Sequence, residues 1–245
     1  MQRRTGLCSE RRPEMLVQQT MIEGKQLKKS FGKQLVLENV SFTIPDGAVV
    51  GLYGDNGIGK STVARLICGT LRPDAGEILL DGRTLVSDHR RYDRKRGIVI
   101  QQVFQQPHAA LDPSQKLLSG FSELIRYHGF AANREEEKKL TERILTSVGL
   151  EPQILNHLPH QISGGEAQRI CIARCLLFNP RLLILDEATS MLDVSTQANV
   201  ISLVRREMQK NNGSVLLISH DRALIDDIAD KVYLFKNHTL EENHL

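Results

Sequence analysis

The sequence predicts a single α/β unit with a helical insertion. Three observations predict it. Residues 182–185 and 215–218 are continuous apolar runs, the composition of parallel strands buried on both faces. A third apolar segment, residues 48–53, runs straight into a glycine-rich loop and then a helical pattern. Between these segments lies a long stretch, residues 114–158, whose apolar spacing is mostly helical.

The elements follow in order. Residues 22–50 alternate polar and apolar, which predicts antiparallel strands over 25–30 and 35–42 and a turn at Pro45-Asp46-Gly47. Residues 48–53 form the buried strand ending at the glycine loop, and 61–70 the helix after it. A short strand over 76–82 closes on Asp81-Gly82, a favoured hairpin dipeptide. A further strand is expected over 97–104. Within the insertion, a helix over 135–148 places Leu140, Ile144, Leu145 and Val148 on one face. A last helix is expected over 165–178. No internal repeat or low-complexity linker divides the chain.

Composition bounds the function. With 245 residues, 40% hydrophobic and 25% charged, the chain can bury a sizeable core, which excludes wholesale disorder. No apolar run approaches the ~20 residues of a spanning helix. A net charge of +3 is too small a bias to argue for nucleic acid, and no nucleic-acid partner is expected. Cys8, Cys68, Cys171 and Cys175 form no CxxC pair and have no matching histidine set. Cys171 and Cys175 lie one helical turn apart, a spacing able to hold a metal, but the preferred reading makes all four small packing residues of a reducing cytosol. Residues 1–20 carry Arg3, Arg4, Arg11 and Arg12 without an apolar stretch, and are expected to be a disordered extension before residues 21–245.

Two motifs carry chemistry on their own residues. Gly54-Asp55-Asn56-Gly57-Ile58-Gly59-Lys60-Ser61-Thr62 matches G-x-x-x-x-G-K-[ST] between strand and helix. Glycines let backbone N–H groups turn inward around phosphate, and the helix N-terminus adds positive potential. Lys60 is expected on the outer phosphates and Ser61 on Mg²⁺. Residues 181–187 then deliver Asp186 to the Mg²⁺ at the end of a buried apolar strand, with Glu187 next in chain as a base for the attacking water.

A third motif makes the set specific. Ser163-Gly164-Gly165-Glu166, opening a helix, resembles the signature loop of ABC-type ATPases. The motifs stand in the ABC order over residues 22–236. The resemblance implies a RecA-like P-loop core with an antiparallel β edge and an inserted helical subdomain at about 108–164. It implies that the signature loop binds ATP held by a second ATPase subunit. In Phe104-Gln105-Gln106-Pro107, Gln105 resembles the Q-loop glutamine, which approaches Mg²⁺ and water. Gln101, Gln102 and Gln106 lie nearby, so the register rests on the family pattern F-Q-x-P. His220 occupies the position that contacts the γ-phosphate, and Asp193 that of the D-loop acid facing the opposite site. Phe31 occupies the aromatic position that stacks on adenine.

A finer likeness follows. Residues 104–113 and 192–197 resemble the peptide/nickel importer ATPases. The expected function is therefore the ATP-binding and hydrolysing subunit of an importer for nickel, metal chelates or peptides. The chain ends soon after Phe235, which tilts the expectation toward the metal-chelate side. Expected partners are transmembrane permease subunits, a second ATPase (a non-identical sister, with a homodimer as alternative) and, indirectly, an extracytoplasmic substrate-binding protein. The expected place is the cytoplasmic face of the inner membrane. The alternative is a soluble ABC ATPase acting in assembly, as in iron–sulfur cluster biogenesis.

Overall fold

A computed structural model describes residues 20–188 and 194–243. The expectations for residues 1–19, and for Asp193, lie outside the described residues.

Two sheets form the frame. The first is antiparallel. β1 (Thr20–Phe31) and β2 (Gln34–Pro45) form a hairpin, and β4 (Ala75–Leu80) and β5 (Arg83–Ser87) a second, in the order β2-β1-β4-β5. The second contains β3 (Val49–Tyr53), β6 (Ile100–Val103), β7 (Leu182–Asp186), β8 (Ser214–Ser219), β9 (Lys231–Lys236) and β10 (Thr239–Asn243). Its order is β10-β9-β3-β8-β7-β6, parallel except for the β9–β10 hairpin.

Alternate residues of the parallel strands feed two cores. Val50, Leu52, Ile184, Leu216 and Ile218 pack toward the antiparallel sheet and α1 (Lys60–Ile67). Val49, Leu183, Leu185, Val215 and Leu217 face the opposite layer. That layer holds α3 (Leu117–His128), α4 (Arg134–Ser147), α5 (Gly164–Leu176), α6 (Val194–Gln209) and α7 (Arg222–Ile228). Burial on both faces explains why these strands read as unbroken apolar runs.

Local chemistry sets the helix ends. Asn133 accepts hydrogen bonds from the Glu135 and Glu136 N–H groups, and Glu135, Glu136 and Glu137 place negative charge in the first turn of α4. Asp221 caps α7 in the same manner, through the Leu224 N–H.

Three expectations change in detail. The first helix ends at Ile67, short of residue 70, and the chain leaves through Gly69 at φ 71°. The strand expected from residue 97 starts at Ile100, because Asp93 caps a short helix, α2 (Arg94–Gly97), that takes Gly97. The strand expected over 76–82 stops at Leu80, and Asp81-Gly82 turns the chain into β5, to which the sequence pattern assigned no element. Helices α6 and α7 were likewise unassigned.

Candidate functional site

The functional side chains gather beyond the carboxyl ends of β3, β6, β7 and β8, the place where open α/β sheets present their sites. The loop after β3 wraps the start of α1. Gly59 sits at φ 125°, a conformation that side chains rarely adopt. A Cβ there would lie 2.7 Å from Val36 Cγ1 and 3.1 Å from Phe235 Cζ. The backbone is thus drawn against β2 and β9, leaving the loop's other side open.

Lys60 is almost sealed, at 4% exposure. Its ammonium donates to the carbonyl oxygens of Gly54 (2.7 Å) and Asp55 (2.8 Å) and stands 3.7 Å from Glu187 Oε1. Burial pushes its pKa down, against the pull of the carboxylates of Glu187, Asp186 and Asp55. Ser61 donates its hydroxyl to Asp186 Oδ1 at 2.9 Å. Burial pushes the Asp186 carboxyl up from its ordinary value, opposed by the Ser61 hydrogen bond. Thr62 is buried in the first turn of α1.

Glu187 follows β7 with φ 48°, a left-handed backbone held by its N–H donating to the Ile218 carbonyl at 3.0 Å. That twist turns its side chain into the cluster. Glu187 Oε2 accepts from Gln105 Nε2 at 2.9 Å, and His220 Nδ1 lies 4.0 Å from Oε1. His220 itself is half exposed at the end of β8.

The expected residues therefore divide. Lys60, Gln105 and His220 converge on Glu187 within hydrogen-bonding or ion-pair distance, and Ser61 meets Asp186, the residue before Glu187. Ser163-Gly164-Gly165-Glu166 stands apart at the head of α5. There Ser163 Oγ accepts from the Glu166 N–H (3.2 Å), while Glu166 Oε2 accepts from both the Ser163 N–H and hydroxyl (2.8 Å each). The two hydrogen bonds from Ser163 hold the Glu166 carboxyl below its ordinary value. Phe31 ends β1 with 45% of its surface exposed and the Lys29 ammonium 5.7 Å from its ring centre.

One residue of the cluster was passed over in the sequence. Gln102 Nε2 donates to Asp186 Oδ2 at 3.3 Å. With four glutamines at 101, 102, 105 and 106, only strand register distinguishes them. Gln101 instead turns to the Ile98 carbonyl. The cysteines pack as expected: Cys171 and Cys175 donate to the Pro107 and Gln102 carbonyls, and burial pushes their thiols up to about 11 and about 12. No metal-holding group of three or more His, Cys, Asp or Glu side chains occurs among the described residues.

The donor set fits magnesium. A serine hydroxyl and a carboxylate are hard oxygen ligands, and the buried amide oxygen of Gln102 has no hydrogen-bond partner. The hydrogen-bond partners that Asp186 shows are a hydroxyl and an amide.

Residues 37–190 match the family described as ABC transporter. The chain belongs to that family. It is 38% identical to the oligopeptide transport ATP-binding protein AppF of Bacillus subtilis, over 93% of this chain and 73% of AppF. It is 37% identical to the oligopeptide transport ATP-binding protein OppF of Haemophilus influenzae, over 80% of this chain and 59% of OppF. With the glutathione import ATP-binding protein GsiA of Pectobacterium atrosepticum it shares 40% identity and spans 31% of that protein. Among solved structures it resembles the dimeric ATP-binding cassette MJ0796 bound to ADP and phosphate, with 28% identity and a TM-score of 0.79 over 92% of this chain and 99% of that one. The RecA-like core, antiparallel β edge and helical insertion are those of this ABC ATPase fold.

Proposed function

We propose that this chain is the ATP-binding and hydrolysing subunit of an ABC importer, working as half of an ATP sandwich beside a membrane permease. The observation that carries the reading is the convergence of Lys60, Ser61, Asp186 and Glu187 at one edge of the parallel sheet. Peptides are the preferred cargo class. The relatives' names, oligopeptide for AppF and OppF and glutathione for GsiA, favour peptides over nickel or metal chelates. No helix among the described residues is long and apolar enough to cross a membrane. A place at the cytoplasmic membrane face therefore rests on a permease partner.

The residues divide the work. Gly54–Thr62 cradles the phosphates with backbone N–H groups. Lys60 exchanges its two carbonyl partners for phosphate oxygens, a stronger charge-assisted pairing. Ser61 and Asp186 would hold magnesium, and the ion when bound would supply positive charge against the phosphates. Glu187, shielded and backed by Gln105, takes the proton of the attacking water. Gln105, once released from Glu187, would be a further oxygen ligand for the ion. His220 steadies the outer phosphate beside Glu187. Phe31 offers its exposed ring to adenine. Ser163–Glu166 and Asp193 serve the site built on a partner's phosphate loop.

The test is ATPase rate against protein concentration, with and without a second ATPase subunit and permease. A weak rate that climbs with concentration and with partner supports the sandwich. A high, first-order rate indifferent to dilution would show a self-sufficient monomer and sink it.

A further inference from the structure

Asp186 has two carboxylate oxygens, and both are engaged. Oδ1 takes the Ser61 hydroxyl at 2.9 Å and Oδ2 the Gln102 amide at 3.3 Å. The strand ladder explains the second contact. β6 runs parallel to β7 with Gln102 opposite Ile184, two residues before Asp186. Side chains two apart on a strand share a face, so Gln102, Ile184 and Asp186 point the same way, toward α1. Three residues on, past the end of β6, Gln105 reaches Glu187. One segment thus addresses both acids of the site, each with an amide.

The other end of Gln102 decides its role. Swapping its nitrogen and oxygen would set two acceptors against each other, so the N–H faces Asp186. Oε1 is left buried and without a hydrogen-bond partner. A buried acceptor without a donor is unfavourable, and a site beside metal-ligating oxygens supplies one: water polarised by the ion. We propose that Gln102 is a positioning residue of the magnesium site, orienting the Asp186 carboxylate and accepting a hydrogen bond from the ion's water shell. The proposal rests on the functional reading above.

The experiment is an equilibrium titration of the full chain with a fluorescent ATP analogue, in EDTA and in Mg²⁺, for wild type and Gln102→Met. Thermal unfolding is measured without metal. Methionine keeps the length and removes both polar ends. In EDTA the two proteins should bind the analogue within twofold of each other. The tightening that Mg²⁺ brings should shrink by ~10-fold, the effect of losing an outer-sphere partner. Melting of the metal-free protein should hold or rise, because an unpartnered buried oxygen is gone. An unchanged Mg²⁺ response would overturn the proposal. So would a lower melting point with equal losses in EDTA and Mg²⁺, which marks a purely structural role. If Gln102→Met fails to fold, Gln102→Asn, one methylene too short to reach Asp186, undergoes the same titration with the same binding expectations; its retained amide oxygen carries no expectation of a raised melting point. A wild type that ignores Mg²⁺ altogether would instead remove the site reading itself, and the proposal with it.

Discussion

Glu187→Gln separates binding from chemistry. In the structure the Glu187 carboxylate stands among Gln105 (2.9 Å), Lys60 (3.7 Å) and His220 (4.0 Å). Glutamine matches its shape, and the Gln105 amide can turn to meet an amide in place of a carboxylate. The phosphate loop is untouched, and one negative charge near the phosphates is gone. ATP affinity should therefore hold or rise. The lost function is proton acceptance. A positioned general base contributes ~10²–10⁴-fold in rate. At about 1.4 kcal/mol per factor of ten, that is about 3–5 kcal/mol of barrier. Single-turnover hydrolysis of radiolabelled ATP at saturating protein measures the chemical step, and fluorescent-analogue binding measures affinity in the same preparation. ATP-dependent pairing should also become longer-lived. A single-turnover rate within threefold of wild type would refute Glu187 as the base, whatever its position suggests.

Other outcomes follow from the same geometry. Lys60→Ala removes a buried ammonium that pairs with two carbonyls and should weaken analogue binding by ~10–100-fold, the worth of one charge-assisted contact; unchanged affinity in the titration would mean the loop does not hold phosphate as argued. Gly59→Ala forces a Cβ to 2.7 Å from Val36 at φ 125°, so urea denaturation should show a loss of about 1–3 kcal/mol together with impaired nucleotide binding. Glu166 is held below its ordinary pKa by the Ser163 N–H and hydroxyl. Its folded value being depressed, the stabilisation it brings is present above the unfolded pKa and lost as pH falls through the lower folded one. The stability gap between wild type and Glu166→Ala should therefore close in acid, and carbon NMR should find the Glu166 pKa raised in Ser163→Ala.

Much of the fold was legible because its signals are local. The apolar runs that became β7 and β8 are sandwiched between α1 and the antiparallel sheet on one face and the helical layer on the other, and burial on both faces writes itself directly into composition. The Asp81-Gly82 turn and the helix inside the insertion, expected over 135–148 and found over Arg134–Ser147, were legible through turn chemistry and apolar spacing. Elements were lost where a neighbour overrode the pattern. Residues 97–99 read as strand, yet the Asp93 cap winds the chain into α2 through Gly97 and delays the strand to Ile100. β5 is too short to show a period.

The site divides along the same line. The residues proposed for phosphate and metal, Gly54–Thr62 and Asp186–Glu187, were legible in the sequence alone, because such motifs need particular residue types in unbroken order. Which glutamine faces which acid was not. Gln101, Gln102, Gln105 and Gln106 are chemically identical, and only the parallel register of β6 on β7 sends Gln102 to Asp186, leaves Gln101 on the Ile98 carbonyl and carries Gln105 to Glu187. Likewise the turn of Glu187 into the cluster depends on a left-handed backbone held by the hydrogen bond that its N–H donates to the Ile218 carbonyl on β8. Residue type is a property of the chain; direction and distance arise only when strands pair, since the pleat assigns each side chain its face.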